Sequence, residues 1–151
     1  MERKRNIILA TAFGFMKACV LYVSRTGNTK RFAEAISESI KSPIFDIEAS
    51  DPTNFKDYDL LLIGTPVTGF NAAPQVTSFI KKLPEGSGKR TILFCTYAVA
   101  KGRVFGALEK ELTQKGYMNI LCISKKGIKP GKGDFNEATD VITKAISCTR
   151  P

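Results

Sequence analysis

The sequence predicts an α/β domain: a three-layer α/β/α sandwich built on a five-stranded parallel sheet. Three observations carry this. Five short apolar runs alternate with segments of helical spacing. The third run, residues 60–64 (LLLIG), is apolar throughout, as a strand covered on both faces should be. The chain of 151 residues is long enough to bury one core and fits one domain.

Residues 19–23 (CVLYV) end at a turn and read as a buried strand. Over 30–41, Phe32, Ile36 and Ile40 recur four apart and make one apolar stripe on a helix. Residues 43–47 are the second strand. The polar stretch 51–59 holds Pro52 and is too short for a full helix. After the third strand, Val76, Phe79, Ile80 and Leu83 line a helix that stops at Pro84. A Gly/Ser turn over 85–89 leads into the fourth strand, 91–95. Val104, Leu108 and Leu112 mark a helix ending at Gly116, and 119–124 is the fifth strand. Ala138, Val141, Ile142, Ala145 and Ile146 give the last helix. Right-handed crossovers then bring the turns after Val23, Gly64, Cys95 and Ser124 to one pole. In such sheets ligands sit at that pole, where the strand order reverses.

The domain is expected over 16–151, with 1–15 a leader or extension of uncertain status. Residues 1–6 are basic, and 7–15 are apolar but too short to span a bilayer. Together they imitate a secretory signal, but Lys17 speaks against lipoprotein processing at Cys19. Met16 would be a natural start leading straight into a strand, so a chain beginning there is expected to fold and bind its ligand unaided.

The net charge is +9, from 23 basic and 14 acidic residues. Such a surplus attracts an anion: a phosphorylated ligand, an acidic protein, a membrane surface or nucleic acid. Nucleic acid is not expected, since no binding motif is present and aromatics do not interleave with the lysines. Cys19, Cys95, Cys122 and Cys148 form no C-x-x-C, and the chain has no histidine, so no metal site is expected. The cysteines read as free thiols, mostly buried, in a reducing cytoplasm.

The turn Ser24-Arg25-Thr26-Gly27-Asn28-Thr29 lies between a strand and a helix. Its amides point out of the helix N-terminus, where free N–H groups and the helix dipole make a site for phosphate. Hydroxyls at 24, 26 and 29 add neutral donors, Gly27 lets the backbone close around an anion, and no carboxylate is present to repel one. An ordinary capped turn uses the same residue types. The turn is neither a Walker loop nor G-x-G-x-x-G.

The run Y-V-S-R-T-G-N-T closely resembles the S/T-x-T-G-x-T phosphate loop of flavodoxins. The resemblance continues through YDLLLIGTPVTG and the spacing of all five strands, from Met16 to about Ser147. It implies FMN as cofactor, the family's strand order 2-1-3-4-5, and a short-chain member that is a monomer or weak dimer. It further implies that Ser24, Arg25, Thr26, Gly27, Asn28 and Thr29 hold the phosphate. Thr65, Pro66, Val67, Thr68, Gly69, Phe70 and Asn71 would flank one face of the flavin ring, and Thr96, Tyr97, Ala98 and Lys101 the other. Tyr97 suits stacking on a half-exposed ring. Phe70 either stacks or packs beneath its loop, and Thr68 stands where relatives often carry an aromatic. In flavodoxins a peptide of the second loop turns its carbonyl to the flavin edge on reduction. Gly69 would make that turn cheap, or is a plain turn glycine.

The implied function is an electron carrier between redox partner proteins, with the chemistry belonging to FMN and no catalytic side chain. Flavodoxins are usually acidic. This chain is not, and Lys125, Lys126, Lys129 and Lys132 cluster after the fifth strand at the flavin pole, either as a solvated loop or as a docking patch for redox partners with acidic surfaces. The alternative is an NAD(P)H-dependent quinone or flavin reductase, for which the chain has little spare loop length. A flavin-free binding module is a third reading. A phosphorylated receiver domain is excluded, because its acidic positions hold Ser24-Arg25 and Gly64-Thr65 here.

Overall fold

The computed structural model describes residues 16–100, 102–126 and 135–148. Strand β1 (Ala18–Tyr22) is buried along its whole length. Helix α1 (Asn28–Ile40) turns Phe32, Ala33, Ile36 and Ile40 to the core and ends at Lys41, whose φ of 55° breaks the helix. Strand β2 (Ile44–Asp46) follows. The polar stretch after it forms two short 3-10 turns, Ile47–Ala49 and Pro52–Phe55. Each is opened by an aspartate, Asp46 or Asp51, whose carboxylate accepts an N–H two residues on.

The remaining elements are β3 (Leu60–Thr68), β4 (Asn71–Ala72), α2 (Pro74–Lys81), β5 (Arg90–Tyr97), α3 (Val104–Gln114), β6 (Met118–Lys126) and α4 (Asn136–Cys148). The parallel strands run in the order β2-β1-β3-β5-β6, and β4 folds back antiparallel on β3. With that two-residue strand set aside, this is the expected 2-1-3-4-5 order. The order reverses between β1 and β3, so the switch point lies at their carboxyl ends.

Alternation along the strands sorts the core onto two faces. Ala18, Val20, Leu62 and Phe94 pack with Phe32 of α1 and Ile142 and Ile146 of α4. Cys19, Leu21, Ile63 and Leu93 pack on the opposite face with Val76, Phe79, Leu108 and Leu112. Both faces are thus sealed by helices, which is why the central strands tolerate no polar alternation. Among the described residues no helix is long and apolar enough to cross a membrane.

Three boundaries that differ from the expectation bear on function, and one is the fifth parallel strand, expected over 119–124, which runs on to Lys126 and so carries Lys125 and Lys126 on the strand. β3 continues past Gly64 to Thr68 before turning back as β4, a hairpin hidden by the mixed character of TPVTG. β5 continues to Tyr97, and Thr65–Cys95 and Pro66–Thr96 still stand in register. Thr65 and Thr96, expected in loops, therefore sit on strands.

Candidate functional site

At the switch point β1 runs into the turn that starts α1. Gly27 has φ 94°, a left-handed conformation that only glycine adopts freely. Three residues before it, Ser24 Oγ accepts the N–H of Gly27 at 3.1 Å and of Lys30 at 3.3 Å. Ser24 thus caps the turn that the glycine cannot cap. The first helical bond runs from Arg31 N–H to the Gly27 carbonyl, 3.0 Å. Helix geometry leaves the Asn28 and Thr29 amides without an i−4 carbonyl, and the first turn carries no acidic residue. Arg31, which the motif does not include, folds back to donate from its guanidinium to Asn28 Oδ1 and lies beside Gly27. Arg25 and Thr26 are exposed.

Thr29 faces inward. It is 1% exposed, and its hydroxyl lies 2.7 Å from that of Thr96, 5% exposed, at the end of β5. The phosphate-type loop and the end of β5 are therefore joined by a buried hydroxyl pair. Tyr97, next along, is half-buried, while Ala98 and Val99 are exposed. Lys101 lies outside the described residues, as do Lys129 and Lys132.

The hairpin between β3 and β4 turns on Gly69 and Phe70, both with positive φ (56° and 67°). Thr65 is fully buried and holds the hairpin's base: its hydroxyl donates to the Pro66 carbonyl at 2.8 Å and accepts the Ala73 N–H at 2.9 Å. That hydroxyl serves the loop rather than the pole. Pro66 and Val67 are half-buried, Gly69 is exposed, and Asn71 donates from its side chain to the Gly69 carbonyl at 3.3 Å. Thr68 Oγ1 is buried and has no partner among the described residues. Phe70 is 64% exposed rather than packed beneath the loop. Its carbonyl accepts the Arg103 N–H at 3.1 Å, and Gly102 lies against its backbone. The second and third loops are thus clamped together at Phe70–Arg103. Gly102 in "KGR" was the only sequence hint of that clamp.

The structure brings three loops to one pole, with helix-terminal amides, hydroxyls and two aromatic rings, and without one Asp or Glu over 24–29, 65–73 or 96–103. Among the described residues no cluster of Cys, Asp and Glu could hold a metal. The described cysteines are free, and burial pushes the Cys19 thiol far up, so it stays protonated and inert. This is a doubly wound α/β protein whose switch point is closed by a glycine-containing turn opening a helix.

The chain belongs to the flavodoxin family: the model described as "Flavodoxin domain" matches residues 19–121. No curated protein sequence matches the chain. Among solved structures it is similar to a flavodoxin from the domain Archaea, with 23% identity over 86% of this chain and 99% of that one, TM-score 0.70. Two-electron reduced Megasphaera elsdenii flavodoxin shares 21% identity over 87% and 99%, TM-score 0.72. A Lactobacillus acidophilus flavoprotein solved in complex with FMN shares 19% over 72% and 93%, TM-score 0.61.

Proposed function

We propose that the chain is an FMN-dependent electron carrier that exchanges electrons with partner proteins through the loop pole. FMN, when bound, supplies the one-electron chemistry, and the chain supplies binding, orientation and electrostatics. The observation that carries this reading is the turn from Ser24 to Thr29. Its glycine, its free helix-terminal amides and its lack of a carboxylate suit a phosphate ester. The Thr68 hydroxyl, buried and without a partner among the described residues, supports a ring beside the hairpin, because such a hydroxyl is costly unless a ligand group meets it.

Asn28 and Thr29 would donate their amides to the phosphate, with Thr26 and Thr29 adding hydroxyls. Tyr97 would cover one side of the ring, and the Gly69–Phe70 turn would line the other. The three loops carry no His, Asp or Glu in sequence, which supports residues that bind and tune rather than react. Partners are expected to present acidic surfaces, since the loops and the end of β6 carry Arg25, Arg103, Lys125 and Lys126 while the three loops carry no Asp or Glu.

The test is purification and absorption spectroscopy. A yellow protein, or apoprotein that takes up FMN, supports the reading; colourless protein indifferent to added FMN overturns it. Turnover of NAD(P)H with a quinone and no partner protein would instead favour a reductase.

A further inference from the structure

The two buried threonines at the switch point carry more hydrogen-bonding capacity than their mutual bond uses. Each hydroxyl has one proton to donate. Thr29 and Thr96 lie 2.7 Å apart, and either oxygen could be the donor, so one proton satisfies the pair and the other remains. Among the described residues neither hydroxyl has another hydrogen-bonded partner. At 1% and 5% exposure, solvent is not a general substitute. The leftover donor sits beside the Asn28 and Thr29 amides, at the positive end of α1, where nothing but an acceptor is complementary.

We infer that Thr96 is a positioning residue for the phosphate loop: its hydroxyl donates to Thr29 Oγ1 and leaves the Thr29 proton to an oxygen of a bound phosphate ester. The inference rests on the reading that FMN phosphate occupies this loop. The reverse polarity, with Thr29 donating to Thr96, would spend the loop's buried donor away from the anion and present a lone pair to it. The arrangement spans 67 residues of sequence. β5 continues beyond Cys95 in register with β3, Pro66 opposite Thr96, and this brings the Thr96 hydroxyl level with the first turn of α1.

The experiment compares apoprotein binding of FMN and riboflavin, which differ by the phosphate, in the wild type and two variants. Thr96→Val keeps the shape and removes the hydroxyl; Thr96→Ser keeps the hydroxyl and removes a methyl. Thr96→Val should weaken FMN by up to about tenfold, the scale of the one neutral hydrogen bond that holds Thr29 in place, and leave riboflavin unchanged. Thr96→Ser should restore the FMN preference. A packing role would weaken both ligands alike, and serine would not rescue the preference; either result overturns the inference, as does full FMN preference in Thr96→Val. Should Thr96→Val not fold, Thr96→Ala is read in the same way. Wild-type protein that binds FMN no better than riboflavin would overturn the phosphate reading itself, and this inference with it.

Discussion

Phe94 lies over Gly64 so closely that a methyl group on Gly64 would fall inside its ring. The two are register partners on β3 and β5, and the ring continues edge-on to Phe32 with centroids 5.1 Å apart. Phe32 in turn stacks on Phe135 at 5.1 Å. Gly64 is therefore a slot for an aromatic ring, with no positive φ involved.

Gly64→Ala should lower stability by about 1–3 kcal/mol through overpacking. Phe94→Leu in the same chain should return part of that loss, because the smaller side chain vacates the slot. Denaturant midpoints of the two single variants and the double variant measure the coupling. Additive losses would show that the cost of Gly64→Ala does not come from the Phe94 ring.

The hairpin turn gives a prediction of opposite sign. Phe70 holds a positive φ that a bulky side chain adopts at a cost of about 1–2 kcal/mol, and its ring is largely exposed. Phe70→Gly should raise thermal stability of the apoprotein, by up to about 1 kcal/mol after the added flexibility of the unfolded chain is counted. Gly69→Ala should cost about as much, since nothing lies within 4 Å of a Cβ there and only the backbone resists. Gly102→Ala should cost more, because its Cβ would press on the Phe70 backbone at 2.6 Å. Equal losses for the two glycines would show that the clamp adjusts freely.

Charge at the pole should set the second-electron potential. Acidic surroundings make an anionic reduced flavin hard to form, and the three loops here hold no Asp or Glu. A unit charge about 10 Å away contributes roughly 0.4–1.7 kcal/mol as the effective dielectric falls from 80 to 20. That is about 20–70 mV per charge for one electron. With several repulsive charges missing, the potential should lie on the order of 100 mV above that of an acidic flavodoxin. Photoreduction against reference dyes measures it. An equally low potential would assign control to packing and hydrogen bonds.

Electron exchange with an acidic partner should slow steeply with added salt, and slow further in Lys125→Gln and Lys126→Gln. These lysines stand in register with Thr96 and Tyr97, at the rim of the third loop. A flat response to salt would remove the docking role.

Much of the fold was legible because parallel strands announce themselves by composition. LLLIG could only be a strand sealed on both faces, and the stripe Phe32, Ile36, Ile40 only a helix. The phosphate-type turn was legible because its residues are contiguous. What escaped was long-range. Thr29 meets Thr96, and Phe70 meets Arg103, only because the sheet order brings distant segments together. The β3–β4 hairpin escaped for a local reason: Gly69-Phe70 is a poor match to the Asn-Gly turns that signal hairpins, since phenylalanine rarely accepts positive φ.

Strand β6 pairs only with β5 among the described residues, and it runs nine residues with its side chains mostly half-exposed. A long, regular strand with one free edge is a template on which another chain could add itself. Two features blunt it. Its pairing slips by one residue at Ile120, which interrupts the ladder, and it ends on Lys125 and Lys126. The ammonium groups at its end therefore repel a second copy of this chain, so neutralising them should expose the protein to self-association.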